Sequence, residues 1–108
     1  MASYRVFWTE TARRDLIAII EFIAADNPAT ALGVLERIQA RAAALVACPE
    51  RGRVVPELRD IGVTHYRELL EMPWRVIYRV ETEEVFVTAL LDSRRDLQSL
   101  LLDRLSSL

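Results

Sequence analysis

The stretch from Pro73 to Asp92 constrains the fold of this chain most. Trp74-Arg75-Val76-Ile77-Tyr78-Arg79-Val80 and Val85-Phe86-Val87-Thr88-Ala89-Leu90-Leu91 are apolar, β-branched and aromatic runs. Four polar residues, Glu81-Thr82-Glu83-Glu84, separate them. Two such runs about a polar turn predict a β-hairpin. A hairpin alone is marginal in water, so the rest of the chain must cover it. Its first strand alternates, with Trp74, Val76, Tyr78 and Val80 on one face and Arg75, Ile77 and Arg79 on the other. One face therefore belongs to a core, and the other carries arginines.

The elements that could cover the hairpin precede it. Tyr4-Arg5-Val6-Phe7-Trp8 reads as a short strand, and Thr9 stands where a helix cap is needed. Ala12, Leu16, Ile19, Ile20 and Ile23 then recur at helical spacing, which predicts a helix to about Ala25. Arg13, Arg14, Asp15 and Glu21 fill its solvated face. Asn27-Pro28 caps and opens a second helix to about Ala47, with a stripe of Leu35, Ile38, Ala42, Leu45 and Val46. So short a linker makes the pair an antiparallel helical hairpin. Cys48-Pro49 stops the second helix, and Glu50 to Gly62 reads as a loop.

Val63 to Met72 supplies a further strand. After the hairpin, Ser93-Arg94-Arg95-Asp96 has the form of a capping box, and Leu97, Leu100, Leu101, Leu105 and Leu108 stripe a final helix. The expectation is one α+β domain over residues 1–108, ordered β-α-α-β-β-β-α, with an antiparallel sheet covered by the helical hairpin.

Composition narrows the function. No run reaches the ~18–20 apolar residues of a membrane helix, and the lone Cys48 excludes an internal disulfide and fits a reducing cytoplasm. Cys48 itself reads as a buried small residue. Cys48, His65, Met1 and Met72 are too scattered for a metal site, and no cofactor motif is present. All fourteen basic residues are arginine, so no lysine is available as a general base. GC-rich codon usage alone would account for that bias. A formal net charge of −2 argues against a surface built to hold nucleic-acid backbone, and no sequence-specific DNA binding is expected of this chain.

Candidate functional residues are the arginines of the later sheet and its loops: Arg51, Arg53, Arg67, Arg75, Arg79, Arg94 and Arg95. Simple strand register would put Arg67 and Arg75 on one face, where they could bind phosphate or a partner's carboxylates. From residue 51 to 95, eight arginines meet eight acids, so surface ion pairing with Glu68, Glu71, Glu81, Glu83 and Glu84 explains them slightly better. His65 is the sole histidine and reads as an exposed or edge residue; adjacency puts Tyr66 on the opposite face.

Four stretches together resemble the RelE/ParE superfamily of toxins from bacterial type II toxin–antitoxin modules. They are Val6-Phe7-Trp8-Thr9 with Ala12 and Asp15-Leu16, and Asp26-Asn27-Pro28 with Ala31. The third runs from Cys48-Pro49-Glu50-Arg51-Gly52-Arg53 through Pro56-Glu57-Leu58 to Tyr66-Arg67-Glu68-Leu69; the fourth is Tyr78-Arg79-Val80 with Arg94-Arg95-Asp96. The resemblance implies a single toxin domain and a ParD-like antitoxin partner. Its ParE-like branch implies a non-catalytic inhibitor that traps DNA gyrase on cleaved DNA. Its RelE-like branch implies a ribosome-dependent mRNA endoribonuclease, for which His65, Tyr66, Arg75, Arg79 and Arg94 would be the working groups. The slightly acidic chain without lysine favours the ParE-like branch, with the seven candidate arginines as antitoxin or gyrase contacts and no catalytic residue. Asp92 stands where relatives often carry histidine, which removes a further acid–base group.

Overall fold

A computed structural model describes residues 4–93. The expected final helix, and with it Arg94 and Arg95, falls outside the described residues. The elements are β1 (Arg5–Trp8), α1 (Glu10–Ala24), α2 (Pro28–Ala43), a 3₁₀ turn (Ala44–Val46), β2 (Arg53–Val54), α3 (Pro56–Arg59), β3 (Tyr66–Glu71), β4 (Trp74–Glu81) and β5 (Glu84–Asp92). They form a five-stranded sheet in the order β1-β5-β4-β3-β2. The three later strands make the expected antiparallel meander, and β1 adds to β5 in parallel, Arg5 opposite Glu84 to Trp8 opposite Val87. The α+β expectation holds.

Local chemistry fixes the helix starts where the sequence placed them. Thr9 Oγ1 accepts from the Ala12 amide at 3.2 Å, and Asn27 Oδ1 accepts from the Thr30 amide at 3.0 Å, with Pro28 in the first turn of α2. Both caps satisfy amides that a helix start leaves without intrahelical acceptors. The helical hairpin covers one sheet face, bringing Ala12, Val34, Ile38, Ala42 and Leu45 against Leu69, Val76, Tyr78, Val85, Val87 and Leu90. Leu16, Ile19, Ile20 and Ile23 pack at its margin. Ile38, Ala42 and Leu45 of the expected stripe are buried, but at its two ends Val34 takes the core position in place of the half-buried Leu35, and Val46 is exposed because the chain has tightened into the 3₁₀ turn.

Three other expectations are corrected. Residues 50–62 are not merely loop: β2 pairs with β3, and α3 starts at Pro56, whose missing amide costs nothing in a first turn. Val55 and Leu58 from this segment join Tyr66, Ile77, Ala89 and Leu91 in a second small core, so the second sheet face is partly covered. Cys48 is exposed, not buried, since it follows the 3₁₀ turn on the surface. Asp15 is buried, and its carboxylate accepts from the Leu90 amide at 3.1 Å. β1 stops opposite Val87, so beyond that point β5 has no strand on this edge, and α1 supplies the acceptor.

The β4–β5 turn is tighter than expected: Glu81 pairs with Glu84, leaving Thr82 and Glu83 between the strands, with Thr82 at φ 50°. Further along, Tyr78 pairs with Val87 but Ile77 with Ala89, so Thr88 is one extra residue in β5. Such a bulge leaves ladder groups unpaired. The Thr88 hydroxyl donates to the Ile77 carbonyl at 3.3 Å, and Thr9 Oγ1 donates to the Thr88 carbonyl at 3.4 Å.

One contact fixes the loop ahead of β2. The Tyr78 hydroxyl accepts from the buried Gly52 amide at 2.9 Å. A Cβ at position 52 would lie 2.4 Å from the Glu68 carbonyl oxygen and 2.7 Å from the Tyr78 hydroxyl, so only glycine fits without a backbone shift. Burial pushes the Tyr78 phenol up, against the lowering effects of the Gly52 amide and nearby Arg67, and the hydroxyl stays neutral at working pH. Tyr78→Phe should leave that amide without an acceptor and cost about 1–3 kcal/mol in urea unfolding, with the fold retained by circular dichroism.

Candidate functional site

The second sheet face centres on Arg75. Its Nε donates to Glu68 Oε1, while Nη1 and Nη2 donate to the two Glu57 carboxylate oxygens at 2.6 and 2.7 Å. Glu68 is fully buried, and its Oε2 accepts from Arg53 Nε at 2.6 Å. Two arginines from β2 and β4 therefore share one buried carboxylate on β3, and α3 supplies a second carboxylate in a two-pronged grip. A buried charge needs such pairing, since an unpaired one costs several kcal/mol. Burial pushes the Arg75 guanidinium down, but hydrogen bonds and charge from Glu68 and Glu57 outweigh it and hold it above its ordinary value. For Glu57, burial pushes the carboxyl up; the Arg75 hydrogen bonds, its own amide and the charges of Arg75 and Arg53 prevail, so it sits below the usual carboxylate value.

The candidate arginines do not form one cluster. The two-residue turn between β3 and β4 pairs odd-numbered residues of one strand with even-numbered residues of the other: Arg67 stands opposite Tyr78, and Leu70 opposite Arg75. Arg67 and Arg75 thus lie on opposite faces, contrary to the expectation from simple register. Arg67 Nη1 instead donates to the Gly52 carbonyl at 2.8 Å, securing the loop from the helix-covered side. Arg53 is tied to Glu68 yet remains half-exposed, and Arg51 is exposed.

Arg79 lies further along the second face, opposite Tyr66 on one side and Phe86 on the other. Its Nε pairs with Glu81 at 3.0 Å, and its guanidinium stands 4.6 Å from the centre of the Phe86 ring. Phe86 stacks on Phe7 at 5.6 Å, and the Arg5 guanidinium lies 5.8 Å from the Phe7 ring. Tyr66, Arg79, Phe86 and Phe7 thus make one row across four strands. His65 is exposed in the bend before β3, where strand alternation does not apply; its ring lies 4.4 Å from that of Tyr66 instead of on the opposite face. The structure therefore gathers Tyr66, Arg75 and Arg79 on one side with His65 at its rim, but Tyr66 is buried in the small core and Arg75 is committed to two carboxylates.

Sequence reasoning expected Glu68 to pair with the candidate arginines at the surface, whereas it is buried; it missed Glu57 as a partner of Arg75, and missed Arg37 and Arg41 altogether. Arg37 and Arg41 are one turn apart on α2 and approach Glu71 of β3, with Nε atoms 3.5 and 3.9 Å from its carboxylate. Their spacing on the helix, with alanine at position 40, was the available clue.

With this geometry in place, comparisons with known proteins decide the family. The family model described as the ParE toxin of type II toxin–antitoxin systems matches residues 6–97. The chain belongs to the ParE toxin family. Its fold also resembles a chain from the chromosomal ParDE toxin–antitoxin system of P. aeruginosa, at TM-score 0.68 and 25% identity, covering 83% of this chain and 96% of that one. A chain of the RelBE2 toxin–antitoxin complex from Mycobacterium tuberculosis is similar in fold, at TM-score 0.59 and 21% identity over 84% of this chain and 99% of that one. No curated protein sequence matches. The ParE-family chain thus has the RelE/ParE fold that its motifs implied.

Arg75→Leu should leave the buried Glu68 carboxylate with Arg53 as its one cation partner and lower unfolding free energy by about 3–5 kcal/mol, with part of the loss recovered in the Arg75→Leu/Glu68→Leu double variant. Equal losses in the single and double variants would show that the pair matters little. Because the folded Glu57 holds its proton less readily than the unfolded chain, its stabilisation is present above the ordinary carboxylate value and is lost as pH falls through the depressed folded value. Glu57→Gln should therefore flatten the acid side of the stability–pH curve measured by denaturant unfolding.

Proposed function

We propose that this ParE-family chain inhibits DNA gyrase by protein–protein contact in the bacterial cytoplasm, and that a cognate ParD-like antitoxin neutralises it. The carrying observation is the state of Arg75 within a ParE-family chain. A ribonuclease working on this face needs cations and a proton-transfer group directed at a reacting phosphate. Here the central guanidinium is committed to Glu68 and Glu57, and Tyr66, opposite Arg79 on the same face, is packed in a core. What remains accessible suits recognition. Arg51 lies in the loop before β2, Arg53 opens β2, and Arg79 lies beside Phe86; Arg94 and Arg95, outside the described residues, belong to the same candidate set by sequence.

An antitoxin partner is supported by the two structural relatives, whose names describe a toxin–antitoxin system and a toxin–antitoxin complex. A groove beside β1 and the helical hairpin, lined by Val6, Phe7, Trp8, Leu16 and Ile17, offers apolar contacts to an amphipathic segment. Phe22 stands 83% exposed on the same helix as Leu16 and Ile17. Purified protein should inhibit gyrase supercoiling and accumulate cleaved DNA in the presence of gyrase, while leaving ribosome-bound message intact. The product of a short neighbouring reading frame should reverse the effect. Message cleavage without any action on gyrase would overturn the proposal in favour of the ribonuclease.

A further inference from the structure

Between α2 and β3 lies a cleft of about 300 Å³ whose walls are unevenly charged. Arg37 and Arg41 project from α2, Arg51 comes from the loop before β2, and Glu71 of β3 is the only acid among the lining residues. Three guanidiniums thus face one carboxylate, which is already shared between Arg37 and Arg41. Arg41 is held in place by its Nη2, which donates to the Leu70 carbonyl at 2.8 Å. Its Nε is shielded from solvent, yet it has no hydrogen-bond partner among the described residues. Glu71, 3.9 Å from it, is too distant to accept a hydrogen bond, so the Arg41 charge is only loosely matched by that carboxylate. Arg51 makes no ion pair among the described residues. The remaining walls are Ala40, Ala44 and Leu69, small or apolar groups that leave the space open.

This combination selects the ligand. A nucleic-acid backbone is tracked by a row of cations on a positive surface, whereas this chain carries a net charge of −2 and the cations converge on one short cleft with an apolar wall. A protein carboxylate with an apolar neighbour satisfies both parts. We infer that the cleft between α2 and β3 is an anchoring site for an acidic side chain, with its adjoining apolar residue, from an amphipathic segment of the antitoxin. The inference rests on the antitoxin reading above and places part of that contact away from the second sheet face, on residues outside the sheet arginines.

The test uses the full chain and a capped helical peptide of leucine, alanine and glutamate, beside the same peptide with glutamine for every glutamate. In nitrogen–proton NMR spectra, the Nε–Hε signals of Arg37, Arg41 and Arg51 should shift with the glutamate peptide and stay in place with the glutamine peptide. Arg37→Glu or Arg51→Glu should weaken peptide binding roughly ten-fold or more, as loss of a charge-assisted hydrogen bond implies. Ala40→Leu, which keeps every charge but fills the cleft, should weaken it as well. Arg14→Glu, the same charge change on the outer face of α1, should leave binding unchanged.

Unmoved arginine signals, equal binding of the glutamine peptide, an equal effect of Arg14→Glu, or signals that move only with a duplex oligonucleotide would each overturn the inference. A second titration uses the product of the neighbouring short reading frame. If it binds wild type, Arg37→Glu and Arg51→Glu alike, the cleft is not its site, although the antitoxin reading stands. If it fails to bind wild type, both fall.

Discussion

The architecture depends on one buried carboxylate. Glu68 lies in the middle of β3 with no solvent to stabilise its charge, so its two oxygens must be matched from within the protein. Arg53 takes one and Arg75 the other, and Arg75 in turn holds Glu57 on α3. This chain of charges is why a two-residue strand and a one-turn helix, each too short to persist alone, have fixed positions. It also supports the opposite side of the sheet. With β2 set beside β3, the Gly52 backbone comes within reach of Tyr78 and Arg67, which secure it from the helix-covered face.

The same network divides the arginines by role. A buried guanidinium that grips one carboxylate with two prongs and a second with a third bond has its charge matched and three of its five donors committed, and it is not presented to a phosphate in solvent. The arginines at the rim and in the α2 cleft have no such claim on them, or only part of one. Under the proposed reading, recognition would fall to cations whose carboxylate partners are shared or exposed, while Arg75, the most buried arginine among the described residues, holds the fold together.

Much of the fold was legible because periodicity and capping are local. Thr9 and Asn27 start their helices where their side chains can reach a first-turn amide, and the alternation of β4 identified Trp74, Val76, Tyr78 and Val80 as the helix-facing side. What escaped was set by parity and by distant partners. The two-residue turn between β3 and β4 separates Arg67 from Arg75, and a turn of another length would have united them. The bulge at Thr88 shifts the phase of β5, which no alternation rule anticipates. Asp15 looked solvated because its partner is a backbone amide far along the chain, and Glu57 looked like loop solvent because α3 owes its place to Arg75. The candidate arginines were legible as residues and illegible as pairs.

The parallel pairing of β1 with β5 bears on the order of folding. The helical hairpin and the β4–β5 turn join near neighbours and can form early, since closing a short loop requires little ordering. The first strand instead waits for the last described one, with Arg5 meeting Glu84 across 79 residues. Pairings of this range slow folding and leave the partner edge open in the meantime. Until that closure, Val85 and Val87 lack a neighbour on one side, and the nascent chain presents a bare strand edge. The interval between pairing of β4 with β5 and docking of β1 is therefore when this edge is open to aggregation or to capture by another strand.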